Sequence, residues 1–455
     1  MNRVEKRSVI TLSSILGVRM LGLFLILPIL GLYVNVIPYA TPFTIGIALG
    51  IYGLTQAILQ IPFGYLSDRI GRKPMLILGL ILFTLGSIIA ANASSIYAII
   101  LGRALQGSGA IASVALAFLS DVTREEERTR AVAILGISIG FSFIVAFMVG
   151  PILDLIVGLS GIFWIAAILS TLAVLAVIVL LPEVSVNTSK QDTQPTWTDL
   201  FKSFCQIDLL AIDIGIFFLH MILAALFVFV PIFIVENFQS SSTEQWKIYG
   251  PVLFCSVLGM LPLLRLSMQK KYTFFVLRLG VAILFIALLM FAIIPISFTV
   301  IMIGLWLFFL GFTLLEALMP SMMSRLAPVG KKGSAIGVYN TFQFMGIFSG
   351  GLIGGWLYGL YGADGVFIFL ACSGLVWLIL ILAVRKPNFL ESRMIDLKKV
   401  PQSEVSALLE KFQSMEGVRE VILIPTEEIV HLRVEAEKFN DHDVNSAMGC
   451  LTSLN

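Results

Sequence analysis

Twelve separate apolar stretches, most of about 20 residues or more, recur along this 455-residue chain, and they limit its fold more tightly than anything else in it. A bilayer core of about 30 Å is crossed by about 20 helical residues. Every backbone polar group must be paired there, so such runs become membrane helices. They lie at approximately 10–34, 43–66, 75–92, 97–120, 131–152, 160–182, 207–235, 248–267, 274–294, 297–319, 334–358 and 365–385. Soluble domains run about a quarter charged. This chain is 13% charged and 58% hydrophobic, with 34 Phe, which excludes an ordinary soluble domain.

The N-terminal MNRVEKRSV leads into the first run with no small-residue cleavage site, so an uncleaved first span is expected. Cys205, Cys255, Cys372 and Cys450 have no paired spacing, which suggests neither a disulfide framework nor a metal site. With an inside N-terminus, the segments facing inward hold 17 Lys and Arg before the tail, whereas the outside loops hold only Lys247. The positive-inside rule then places both termini in the cytoplasm. The polar stretch 183–206 reads as a linker between two halves of six spans.

The halves also match each other. Shifting the chain by 204 residues lays Gly107 on Gly311, Ser120 on Ser324, Ala131 on Ala335, Gly150 on Gly354 and Gly161 on Gly365. Arg128 falls on Lys332, so a basic loop recurs at the same offset. Parallel repeats with a site between them near the midplane are a transporter architecture.

Residues 64–74, GYLSDRIGRKP, set charge in a glycine-bounded turn between the second and third spans. Gly64 and Gly71 lack a Cβ, which lets helices approach closely and the chain turn sharply. Asp68 places an anion at the membrane surface, where it can meet a helix N-terminus of the other half or a basic partner. The basic residues also serve topology. The stretch resembles the signature between helices two and three of the major facilitator superfamily, matching at Gly64, Leu66, Asp68, Arg69, Gly71, Arg72 and Lys73. The resemblance, through topology, repeat and motifs, covers about 385 residues. It implies a gate in which Asp68 and Arg72, with Asp121, form a charge lock against the start of span eleven. The equivalent RLSMQKKYTFF at 265–275 keeps the basic charge and loses Asp and Gly, so the lock is expected to be asymmetric.

Within the spans, Arg19, Arg103, Asp213, His220 and Glu316 stand out. A guanidinium in hydrocarbon costs about 2.5–3.5 kcal/mol on insertion scales, so Arg103 should face the bundle interior or water. Arg103, Gln106 and Gly107 resemble the family's fourth-helix R-x-x-Q-G, which is linked there to proton-coupled transport; a structural hydrogen-bond hub is the other reading. Gly107 and Gly109 permit tight helix packing. Arg19 either snorkels to the surface or faces a cavity. Glu316 is a candidate proton carrier or an ion-pair partner of Arg325. His220 either titrates or bonds a backbone carbonyl, and Asp213 is a cavity carboxylate or a surface cap. Gln56 with Gln60, Ser138 with Ser142, and Asn340 with Gln343 fall one turn apart, and either line a cavity or bond helices together. In span five, Gly150-Pro151 survives from a glycine-rich antiporter motif, but Leu153 and Asp154 replace its final pair.

Residues 394–455 carry 6 Lys/Arg and 11 Asp/Glu. Strands at MIDLKK, VREVILI and IVHLRVEA, with helices at SEVSALLEKFQSM and DHDVNSAMGCL, give an order resembling a ferredoxin-like module. No Cys pair follows its first strand, so soft-metal binding is not supported. Its acidity opposite basic loops suggests docking, and self-association is an alternative.

The expected fold is all-α membrane: 12 transmembrane helices in two pseudo-symmetric six-helix bundles, plus a small C-terminal α+β (ferredoxin-like) cytoplasmic domain. The domains are 1–182, the linker 183–206, 207–386 and 394–455. The resemblance implies a drug/proton antiporter-like secondary transporter in a bacterial inner membrane. It would export small amphipathic organic compounds by alternating access, with the proton gradient and no cofactor as its energy source. An importer or uniporter, or a membrane sensor with a regulatory tail, is the alternative. The expected partners are a small-molecule substrate, protons and the lipid bilayer, with no nucleic acid. No nucleophile–base, metal or phosphate-loop constellation points to an enzyme.

Overall fold

The computed structural model describes residues 1–183, 207–238, 244–269, 271–327, 332–384, 390–397, 405–424, 429–435 and 439. They divide into two compact units, Met1–Met323 with Gly333–Val384, and Ser324–Lys332 with Arg385–Asn455.

The first unit is helical, and only Ser324–Leu326 and Lys332 of its helices fall in the second: α1 Arg3–Phe24, α2 Pro42–Ile70, α3 Arg72–Ala91, α4 Ile96–Ser108, α5 Ala112–Val122, α6 Glu125–Leu180, α7 Ile207–Phe238, α8 Trp246–Ser267, α9 Thr273–Ile293, α10 Phe298–Leu326 and α11 Lys332–Ala383. Among the described residues, ten helical stretches are long and apolar enough to cross a membrane, the α4–α5 pair counting as one. Two of them, Arg130–Leu180 and Ala335–Ala383, have 51 and 49 residues. At 1.5 Å per residue each would reach about 75 Å, more than twice a bilayer core. Each is two helices meeting at a glycine of positive φ, Gly158 or Gly362. Counted as two passes each, they bring the crossings to twelve. α6 stays helical through Gly150-Pro151, so the break falls a turn or two later than the Gly-Pro pair suggests.

Local chemistry sets these boundaries. Thr41 caps α2, its Oγ1 accepting from the Thr44 N–H at 3.2 Å, and Pro42 occupies the first turn, where its missing N–H costs nothing. Gly71 ends α2 at φ 110° and lets α3 begin at once. The fourth span, expected to be continuous, is broken at residues 109–111, between α4 and α5. The break is packed against α3, since a Cβ on Gly109 would lie 2.1 Å from the Gly79 carbonyl oxygen. Beyond α1, Tyr33 ties down the α6 break: its hydroxyl donates to Asp154 Oδ1 at 2.7 Å and accepts from the Leu159 N–H at 3.2 Å.

Arg278, a charged residue near the start of α9 that the span pattern does not mark, donates to the carbonyls of Ile381, Leu382 and Val384 at 3.3, 3.1 and 2.8 Å. Lys73 does the same in the first half, reaching the carbonyls of Ile178 and Leu181 at 3.0 and 3.2 Å. Each cation answers the unpaired carbonyls and negative dipole at a helix C-terminus.

The second unit holds β1 Leu390–Asp396, α12 Val405–Ser414, β2 Val418–Ile424 and β3 Ile429–Glu435. The sheet order is β1-β3-β2, and both pairings are antiparallel. Val430, Leu432 and Val434 alternate along β3 and share one buried face with Leu408 and Phe412 of α12, one helical turn apart. The helix expected at DHDVNSAMGCL lies outside the described residues, as does the linker 184–206.

Candidate functional site

The halves meet first along a seam between α2 and α11. A Cβ on Gly46 would sit 2.1 Å from the Gly351 carbonyl oxygen, and one on Gly355 would sit 2.5 Å from the Pro42 carbonyl oxygen. Lipid offers no hydrophobic drive for helix association, so contact of this kind depends on small residues that bring backbones together. The halves also meet through Phe143 and Phe147 of α6, which pack into the other half. Phe143 stacks on Phe312 at 5.0 Å between centroids, and Phe147 meets Phe227 edge-on at 4.7 Å and Phe309 at 5.6 Å. Aromatic pairs of this geometry contribute about 0.5–1.5 kcal/mol each beyond area burial.

Phe312 also packs on the His220 ring at 5.7 Å, and His220 opens a polar cluster built from three helices of the second half. His220 Nδ1 lies 3.3 Å from the Ile216 carbonyl oxygen, and its Nε2 lies 2.8 Å from Gln343 Nε2. A carbonyl only accepts and an amide NH2 only donates. The ring is therefore protonated on Nδ1 and accepts from Gln343. The Gln343 amide also points at Glu316 Oε1 at 3.5 Å, and Glu316 Oε2 stands 3.7 Å from His220 Nε2. Asp213, two turns before His220 on α7, is buried, with Oδ1 unpartnered among the described residues. Glu316 Oε2 and the Tyr339 hydroxyl are likewise enclosed without a hydrogen-bond partner among the described residues. Asn340, one turn from Gln343, is partly buried. His220 thus has both a backbone carbonyl partner and the polar environment of a pathway group.

The first half collects basic groups instead. Arg19 is 1% exposed and neither snorkels nor meets solvent; its Nη2 donates to Gln56 Oε1, and Gln56 Nε2 donates to Gln60 Oε1 at 3.3 Å. Arg103 donates from Nη1 to Gln106 Oε1 at 2.9 Å and from Nε to the Ala48 carbonyl at 3.3 Å. Gln106 passes the chain on to Ser87 Oγ at 2.8 Å. Gly107 seats α4 against α2, where a Cβ would lie 2.2 Å from the Tyr52 carbonyl oxygen. Gly150 abuts the Leu25 carbonyl at 3.2 Å by the same measure. Ser138 Oγ donates to the Ser13 carbonyl and Ser142 Oγ to the Ser138 carbonyl, both at 2.8 Å, so this pair bonds backbone.

The charged turn is organised around Arg72. Its guanidinium contacts Asp68, donates to Ser67 Oγ at 2.6 Å, and reaches Asp121 Oδ2 at 2.9 Å. Arg69 faces outward over the Tyr65 ring at 4.4 Å, and Lys73 is engaged on α6 carbonyls. The expectation of close packing at Gly64 fails, because its Cβ would meet Ser113 Oγ at an ordinary 3.5 Å. The first side chains of span eleven, which the charge lock would face, lie outside the described residues.

Two helical halves joined at a glycine seam, with titratable side chains enclosed between membrane-length helices, define a multi-pass membrane transport protein. The chain belongs to the Major Facilitator Superfamily, whose profile matches residues 10–351 and, overlapping, 314–415. It is 37% identical over 445 residues to the inner membrane transport protein YajR of Escherichia coli (strain K12), covering 98% of this chain and 97% of that one. It is 35% identical over 142 residues to a class E tetracycline resistance protein of Escherichia coli, covering 30% of this chain and 34% of that protein. In fold it is similar to the human organic anion transporter MFSD10 (TETRAN), with a TM-score of 0.62 and 19% identity over 84% of this chain and 100% of that one. This is a transporter, and not an enzyme.

Proposed function

We propose that the chain is a proton-coupled secondary active transporter that exports small amphipathic organic compounds by alternating access. The observation that carries the reading is the His220–Gln343–Glu316 cluster with Asp213 nearby. It sets the Glu316 carboxyl, with one unpartnered oxygen, behind the aromatic contact between the halves, and buries Asp213 two turns before His220 on the same helix. A carboxyl so enclosed binds and releases a proton as its surroundings change from packed to wet, which is what coupling requires. The partial relative that confers tetracycline resistance supports export of an organic compound.

The Lys and Arg distribution supports cytoplasmic termini, and the YajR relative supports an inner membrane. In that orientation the glycine seam closes the outer side, and Asp68, Arg72 and Asp121 stand at the inner gate. The β1-β3-β2 sheet order with α12 between β1 and β2 supports a ferredoxin-like tail, and its 11 Asp/Glu against 6 Lys/Arg support docking on basic loops, with self-association as the alternative.

Proteoliposomes with an imposed pH gradient test the reading, using compounds chosen by thermal stabilisation of the purified protein. Accumulation should follow the gradient and move protons. Glu316→Gln should abolish gradient-driven accumulation while substrate counterflow persists. Accumulation that ignores the gradient would leave a uniporter.

A further inference from the structure

Arg19 and Arg103 carry two guanidinium groups into the interior of the first half, 1% and 0% exposed, and among the described residues neither has a carboxylate beside it. Arg19 Nε and Nη1 and Arg103 Nη2 are enclosed donors without hydrogen-bond partners among the described residues. The Tyr52 ring stands by both, 5.8 Å from the Arg19 guanidinium carbon and 4.9 Å from that of Arg103, and its hydroxyl is also unpartnered. A ring face and amide oxygens offset only part of such a charge. Tyr52 belongs to α2 and meets Phe344 of α11 at 6.3 Å, so this basic corner borders the surface where the halves part. The carboxyls, the buried Asp213 and the partly exposed Glu316, lie in the opposite half.

We propose that Arg19, Arg103 and Tyr52 form a binding site for a monovalent anion, supplied either by the carboxylate of a transported organic acid or by a halide. The forked guanidinium donors match a planar carboxylate, and the Tyr52 hydroxyl adds a further donor. The separation of charge divides the work between the halves, the first taking the anion and the second carrying the proton. This deepens the transport reading above and rests on it.

The test is equilibrium dialysis of the purified full-length chain in detergent against radiolabelled benzoate, radiolabelled chloride and, as an uncharged control, benzamide. Saturable binding of benzoate, with none of benzamide, assigns the site to an organic acid. Saturable binding of chloride alone assigns it to an inorganic anion. Arg19→Gln and Arg103→Gln should each weaken the bound anion by about tenfold or more, as loss of a charge-assisted hydrogen bond implies. Where a glutamine variant does not elute as a single species, Arg103→Lys carries the comparison, because it keeps the charge and loses the fork; it should bind more weakly than the unsubstituted protein. No saturable binding of either anion, or equal affinity in all the variants, overturns the proposal. No gradient is applied, so anion binding without proton-driven flux would sink only the coupling, and proton-driven flux without anion binding only this site.

Discussion

Gly158 and Gly362 stand 204 positions apart and share one backbone conformation, with φ 65° and ψ −179° in the first and φ 63° and ψ −156° in the second. Only glycine enters this region freely, and other residues pay about 1–3 kcal/mol there. The offset is the one that lays the two halves of the sequence over each other, so a single chain-reversing device is used twice. Gly158→Ala and Gly362→Ala should each lower the thermal midpoint of the detergent-purified protein. Gly136→Ala, at a helical position where a Cβ meets nothing within 4 Å, should hold it or raise it.

A second device recurs in the same way. Lys73 closes the carbonyls at the end of α6, and Arg278 closes those at the end of α11. Lys73→Met and Arg278→Met should each cost about 1 kcal/mol. The two sites are independent, so the double variant should lose about the sum, read from thermal denaturation.

Arg72 holds Asp68 and Asp121 together on a partly exposed surface. Exposed ion pairs contribute about 0–1 kcal/mol, so Arg72→Gln should scarcely change the melting temperature. Transport should nonetheless fall steeply, because a gate acts through the balance between two states and not through total stability. Equal losses in both measurements would reduce the cluster to a structural brace.

The seam yields a steric prediction. A Cβ on Gly46 would sit 2.1 Å from a backbone oxygen that cannot swing aside. Gly46→Val should keep α2 and α11 apart, lengthening the distance between spin labels placed at Phe43 and Trp356, and should stop transport.

Hydropathy runs were enough to read the membrane helices, because bilayer thickness sets their length whatever they pack against. Their finer breaks were not legible. The interruption at residues 109–111 depends on Gly79 of a neighbouring helix, and the α6 break depends on Tyr33, so both are tertiary facts. Arg278 sits inside an apolar run, and only its bonds to the Ile381, Leu382 and Val384 carbonyls, about 100 residues away in sequence, give it a role. The pairing of His220 with Gln343 and Glu316 joins α7, α11 and α10, and spacing along one chain cannot show it. Arg19 was legible as an oddity, but only its contact with Gln56 shows that it turns inward.

The glycine contacts between α2 and α11 are formed by main chain and contain almost no side-chain identity. The groups that would meet a cargo, such as Arg103, His220 and Gln343, project from other positions. On the proposed alternating-access cycle, motion and recognition are therefore encoded by different letters of the sequence, and selection can retune which molecule is carried while leaving the seam unaltered.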